Sequence, residues 1–134
     1  MNNYYELLVS QSIRQPQKIC LQLDAAGISY EEMLAYVDSL ADIFLAQAKH
    51  SFHTGAILVL GQGIKEQLGG FLALQKAGWL PILLHHGLKA AEQQEIITKN
   101  QLQGLWQIKG DASELQLTDN VPLTHPEADI MGVL

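Results

Sequence analysis

Cysteine is nearly absent from this sequence. Cys20 stands alone among 134 residues, so no intramolecular disulfide can form, and a lone thiol fits a reducing compartment. Positive charge is scarce too. Eight Lys and Arg against fourteen Asp and Glu leave a net charge of −6 and a pI near 5.2, which argues against nucleic acid, a partner that calls for a basic face. Long hydrophobic runs are missing: the most apolar stretch, Gly69 to Leu84, is broken by Gln75, Lys76 and Pro81, too short and too interrupted to span a bilayer. Met1-Asn-Asn-Tyr-Tyr-Glu6 has neither the basic nor the apolar segment of a signal peptide. No internal repeat and no low-complexity tract is visible. What remains is one domain's worth of chain, able to bury roughly two-thirds of its unfolded surface. A soluble, cytoplasmic α/β domain is the expectation.

The stretch from Ala56 to Leu84 organises the rest. Ala56-Ile-Leu-Val-Leu60 is a continuous apolar run closed by Gly61, the pattern of a strand buried on both faces. Ile64, Leu68, Phe71, Leu72 and Gln75 then recur at helical spacing and predict an inner face, with Lys65 and Glu66 left in water. Gly78 stops that helix, and a second apolar run leads to Leu84. Two such strands joined by a helix make a parallel βαβ unit. Gly69-Gly70 inside the helix costs roughly 1 kcal/mol each relative to alanine, and close approach of the helix to the sheet is the expected compensation.

Around this unit the chain reads in order. Asn3 and Glu6 form a capping box for a helix running to about Arg14, with Tyr5, Leu8, Val9 and Ser12 inward and Pro16 ending it. Lys18 to Leu23 and Ile28-Ser29 flank a turn ending at Gly27, a small hairpin. Ser29-Tyr-Glu-Glu32 is the clearest helix start in the sequence. From it Tyr30, Met33, Leu34, Val37, Leu40, Ala41, Phe44, Leu45 and Ala48 fall on one stripe. His50 to Gly55 reads as a loop, about Lys89 to Lys99 as a helix stopped by Asn100, Leu102 to Ile108 as a strand, and Glu114 to Leu117 as a short strand. The fold class is therefore α/β: three layers, a mostly parallel sheet with helices on both faces, and a small N-terminal hairpin.

Candidate chemistry is thin. Gly61-Gln-Gly63 lies between strand and helix, where dinucleotide-binding loops sit, but Glu66 occupies the third glycine's place. A carboxylate there repels a pyrophosphate, which favours a plain turn over a phosphate loop. His85-His86 follows a parallel strand at the edge where open sheets bind ligands, yet adjacent histidines point apart and make a poor metal pair. Pocket lining is the alternative to a bare surface loop. Ser10, Ser12, Ser29 and Ser51 lie in no Gly-x-Ser-x-Gly elbow. Trp79 and Trp106 read as core aromatics, and Cys20 as a small buried hydrophobe with no charged neighbour to activate it. The residues supply an architecture and no catalytic, cofactor-binding or metal site.

The order of elements resembles the N-terminal part of the adenylate-forming, AMP-binding superfamily, which includes the acyl-CoA synthetases. Ile28-Ser-Tyr-Glu-Glu-Met33 is similar to the family's Leu-Thr-Tyr-x-Glu-Leu motif, His53-Thr-Gly-Ala-Ile-Leu-Val59 to its Gly-Asp-x-Val-Ala-Ile, and Leu74-Gln-Lys-Ala-Gly78 to its Leu-Lys-Ala-Gly. There are departures: no Asp follows Gly55, and the prolines expected after the last motif are replaced by Leu83 and His86, while Pro81 comes early. The resemblance covers nearly the whole chain. It implies an ATP-dependent carboxylic acid–CoA ligase, acting on a fatty acid or related acid, with ATP, magnesium and coenzyme A as the parent enzyme's cofactors. The parent would form an acyl-adenylate and then an acyl thioester. The family's phosphate loop follows a strand like Asp129-Ile-Met-Gly-Val-Leu134, so the chain, apolar to its last residue, is expected to be a partial domain cut before that loop. The fragment alone would then be inactive, its partners the remainder of the ligase and, through unpaired sheet edges, a second copy in a homodimer. A non-catalytic α/β binding or assembly module is the alternative, and a nucleotide-binding domain using Gly61 and Gly63 a third.

Overall fold

A computed structural model describes residues 3–23, 26–48, 56–83, 89–109 and 112–118. Helix α1 spans Tyr4–Arg14, and its first turn is closed by the Asn3 carboxamide oxygen, which accepts from the Glu6 amide at 2.9 Å. Leu8 is its fully buried residue, and Tyr5, Val9 and Ser12 are half-buried beside it. Strands β1 (Ile19–Gln22) and β2 (Gly27–Ser29) pair antiparallel as the expected hairpin.

Helix α2 (Tyr30–Ala48) begins where the sequence says it should. The Ser29 hydroxyl accepts from the Glu32 amide at 3.1 Å, and the Glu32 carboxylate accepts from the Ser29 amide at 3.0 Å. The Ser29 amide first, and then the Ser29 hydroxyl, hold the Glu32 carboxyl below its ordinary pKa. The stabilisation from that half of the box is therefore complete above the ordinary carboxylate range and fades as pH falls through the lowered value. Ser29→Ala keeps the amide and loses the hydroxyl, so it is expected to cost about 1 kcal/mol at neutral pH, the gap narrowing in acid only by the hydroxyl's share on the carboxyl. Urea titrations at pH 7 and pH 3 check both statements.

Four strands form the main sheet: β3 (Ala56–Gly61), β4 (Leu80–Leu83), β5 (Gly104–Lys109) and β6 (Ala112–Leu117), in the order β4-β3-β5-β6. β4 and β5 run parallel to β3, and β6 runs antiparallel to β5 at the edge. Side chains alternate between two cores, as doubly covered strands require. Ile57 and Val59 of β3 join Trp106 and Ile108 of β5 on one face, under α2 and helix α3 (Ile64–Ala77). Leu58 and Leu60 join Ile82 and Leu105 on the other, under helix α4 (Ala90–Lys99), which contributes Ile97. Pro81 lies in an edge strand, where a missing N–H is tolerated.

The structure corrects the expected inner faces. Ile64 is 60% exposed. Every residue from Gly69 to Leu74 is buried, so α3 is covered nearly all round by sheet, α2 and α1. Of the expected stripe, Phe71 meets the ring of Tyr4 on α1, and Gln75 accepts from the Tyr5 amide. A Cβ on Gly70 would lie 2.5 Å from Ile108 Cδ1 and 2.8 Å from Val59 Cγ1, the close approach to the sheet that was expected. At Gly69 the obstacle is different: the Tyr36 ring of α2, 2.5 Å away. Leu45 is 48% exposed because it stands one residue, about 100° of turn, past Phe44 at the centre of the buried face.

β5 starts two residues later than the apolar pattern suggests. Gln101 turns the chain with φ at +52°, and the buried Gln103 carboxamide caps the sheet instead, accepting from the Ala56 amide at 2.6 Å and donating to the Gln101 carbonyl at 2.9 Å. β6 begins two residues earlier than expected and is longer, because its backbone is tied to α2: Gln47 donates to the Ser113 carbonyl at 3.0 Å and accepts from the Leu115 amide at 2.7 Å.

Candidate ligand-binding crevice

Three strands and two crossings fix where a crevice must open. β3 sits between β4 and β5; the chain leaves β3 through α3 on one face to reach β4, then returns through α4 on the other face to reach β5. α3 leaves the C-terminal end of β3 on one face while α4 covers the other, so the C-terminal ends of β3 and β5 lie between two helical layers. In open α/β sheets the carboxyl ends of the strands are where ligands bind.

A cavity of about 270 Å³ lies there, lined by Leu60, Gly61 and Gln62 from the end of β3, by Gln107, Ile108 and Lys109 from the end of β5, and by Gln93 from α4. A second, of about 180 Å³, shares Gln107 and Lys109 and adds Ser113 and Glu114 of β6. Leu60 is buried on the α4 face of the sheet, whereas the Ile108 side chain is turned into the other core, against Gly70 of α3. The rim is polar: carboxamides from three separate elements and one ammonium group. The two strand ends are locked to each other, because the Gln62 amide donates to the Ile108 carbonyl at 2.9 Å. Among the described residues the buried Ser113 hydroxyl oxygen has no hydrogen-bond partner.

Gly61 and Gly63 beside it do not make a phosphate loop. Gly61 is a packing residue, with the backbone of Glu66 and Gln67 directly against it. Gly63 is the N-cap of α3 in extended conformation, with no side-chain cap. A carboxylate oxygen of Glu66 stands 3.0 Å from where a Cβ of Gly63 would be, so the helix end is already faced by the chain's own anion.

The other candidates separate. His85, His86 and Ser51 lie outside the described residues, as do His53, Thr54 and Gly55 and the segment Asp129 to Leu134. Ser10 and Ser12 lie on α1, and Ser29 is spent on the α2 cap. Cys20 is half-buried in β1, and burial raises its thiol pKa, the opposite of activation. Trp79 and Trp106 are core residues, 4% and 0% exposed. No group of three metal-ligating side chains occurs among the described residues, and no helix there is long and apolar enough to cross a membrane.

One polar cluster was not foreseen. The Tyr5 hydroxyl donates to Asp38 at 2.8 Å, and Lys76 pairs with the same oxygen at 3.0 Å. Burial, then the bond to Asp38, raises the Tyr5 pKa; the bond to Asp38 raises that of Lys76. Both stay protonated, so neither serves as base or nucleophile. The cluster laces α1, α2 and α3 together.

No protein-family model matches the sequence, and no curated protein does. Solved structures match in fold. The O-succinylbenzoate coenzyme A synthetase (MenE) of Bacillus subtilis in complex with AMP aligns with a TM-score of 0.65 at 20% identity, over 80% of this chain and 27% of its own. The N-terminal subdomain of Klebsiella oxytoca NpsA in complex with 3-hydroxybenzoyl-AMSN gives 0.69 at 18% identity, over 84% and 28%. IdnL1 gives 0.67 at 13% identity, over 90% and 27%. The chain thus spans little more than a quarter of the structures it matches, and the likeness is one of fold: that of the opening part of adenylate-forming enzymes.

Proposed function

We propose that this chain is the opening segment of an ATP-dependent carboxylic acid–CoA ligase, which forms an acyl-adenylate and then an acyl thioester on a fatty or related acid. The match to MenE over 80% of the chain carries the reading; that enzyme is also seen with an acyl-adenylate intermediate bound. The motifs behind the resemblance fall on corresponding parts of the fold. Ile28 to Met33 forms the α2 cap, Ala56 to Val59 opens β3, and Leu74 to Gly78 ends α3 in a left-handed turn. The described residues do not fit a nucleoside triphosphate, since Glu66 faces the one glycine-flanked helix start and Lys109 is the sole cation at the crevice. ATP, magnesium and coenzyme A are accordingly assigned to no residue of this segment, whose own part is scaffold.

The 134-residue chain is expected to give no ATP–pyrophosphate exchange; exchange above background would overturn the scaffold role. The reading frame beyond codon 134 provides the second test. A Gly-Thr-Thr-Gly loop within about a dozen residues supports the ligase, whereas a stop codon there supports a non-catalytic assembly module.

A further inference from the structure

Strand β4 stands at one flank of the sheet but is built like an interior strand. Leu83 packs into the core under α2 and α3, and Leu80 and Ile82 pack into the core under α4. Leu80–Leu83 carries no charged side chain of the kind that guards exposed edges. Which of its backbone groups point outward follows from its neighbours. The Ala56 carbonyl accepts from the Gln103 amide, and the Gln62 amide donates to the Ile108 carbonyl. The even-numbered residues from Ala56 to Gln62 thus face β5, and by alternation Ile57 and Val59 face β4. Ile57 pairs with Pro81 and Val59 with Leu83, which in a parallel ladder puts the bonds on Leu80 and Ile82. Pro81 and Leu83 therefore turn their backbone outward. Proline has no N–H, so the outer edge offers the Pro81 carbonyl and both Leu83 groups. One residue of a parallel strand, placed opposite Ile82, can donate to that carbonyl and accept from the Leu83 amide.

We propose that residues 129–134 of the same chain dock on this edge as a further parallel strand. Thr118 donates to the Gln103 carbonyl, which places it level with Ala56 and, through the pairing of Ala56 with Leu80, with the start of β4. A strand begun at that level runs parallel to β4. Four strand spacings of about 4.8 Å, roughly 19 Å in all, separate β6 from the place beyond β4. Residues 119–128, fully extended, reach about 33 Å. That stretch holds Asp119, Pro122, Pro126 and Glu127 and suits a crossing, whereas 129–134 carries no charge after Asp129 and suits a strand covered on both faces. The nearer flank, β6, is the poorer dock, because Gln47 already holds its Ser113 carbonyl and Leu115 amide. The assignment uses no feature of the ligase reading, so ATP–pyrophosphate exchange by the chain would leave it standing.

Amide hydrogen exchange in the 134-residue chain, followed by NMR, reads the dock at one atom. The Leu83 N–H is expected to exchange at least about tenfold more slowly than an exposed amide. Met131→Pro combined with Gly132→Pro puts a proline toward β4 whichever of the two residues faces it. The pair is expected to return Leu83 to the exposed rate, while Leu58 and Leu60, which face β5, stay protected. Nuclear Overhauser contacts from residues 130–133 to Pro81, Ile82 and Leu83 are expected in the parent chain, and they decide the matter if the variant does not fold. Their absence overturns the proposal. So does a Leu83 amide that exchanges freely in the parent, or protection that survives the two prolines. Protection that grows with protein concentration puts a second copy on the flank and overturns it as well.

Discussion

Trp106→Ala is expected to remove about 3–5 kcal/mol of stability, a large share of the roughly 5–15 kcal/mol that holds a domain of this kind together. Trp106 is fully buried and heads the large side chains of the interior. Its ring lies 5.0 Å from Phe44 on α2, and Phe44 in turn meets Trp79 edge-on at 5.3 Å. The far rim of the indole reaches to within 3.7 Å of where a Cβ of Gly70 would stand on α3. One side chain thus joins the middle of the sheet to both helices above it, and truncation leaves a cavity that close-packed neighbours fill only in part. Trp106→Phe separates packing from polarity. It retains a ring while deleting an indole N–H that is buried with no hydrogen-bond partner among the described residues, so part of the lost contact is offset by a relieved donor. It is expected to cost less than half as much as the alanine variant. Urea unfolding followed by circular dichroism reads both. A Trp106→Ala protein within about 1 kcal/mol of the parent would contradict this account of the core.

Gly61→Ala should be nearly as damaging, for the opposite reason. The added methyl would sit 2.3 Å from the backbone nitrogen of Gln67 and 2.6 Å from its Cα. Those atoms belong to the first turn of α3, which cannot swing aside as a side chain can. The whole helix has to move off the end of β3. Overpacking costs typically 1–3 kcal/mol, occasionally more, and this position belongs at or above the upper end. Gly78→Ala provides the contrast. There a Cβ meets nothing within 4 Å, but φ is +85°, so the cost is backbone strain alone, about 1–2 kcal/mol. If the two alanine variants unfold at the same urea concentration, steric contact at Gly61 is not what the glycine is for. Because Gly61 also lines the crevice, its replacement should shift the amides of Gln107 and Ile108 across from it.

Much of this architecture is written locally. Ala56 to Leu60 announces a strand covered on both sides because no polar residue interrupts it, and both cores do meet on it. Ser29 and Glu32 declare a helix start through chemistry confined to four residues. The motif order pointed to the fold that the solved structures share. Periodicity failed where the environment was not two-sided. α3 is enclosed from Gly69 to Leu74, so no single stripe describes it: Leu68, Phe71 and Leu72 of the expected stripe do pack into the core, but Ile64 at its start is exposed. The crevice was illegible for another reason. Gln62, Gln93 and Gln107 lie far apart along the chain and belong to no spacing pattern; the crossings through α3 and α4 bring them together. A feature made by topology leaves no signature in a window of neighbouring residues.

Gln47 closes part of one flank of the sheet. Its carboxamide occupies the carbonyl of Ser113 and the amide of Leu115 on β6, groups that an incoming strand would use to dock. Of the two flanks of the described sheet, one is thereby partly occupied by the protein's own helix. Among the described residues, β4 is left as the flank with no such plug. A flank whose outward groups are already bonded in this way is a poorer template for a further strand than one whose groups are open.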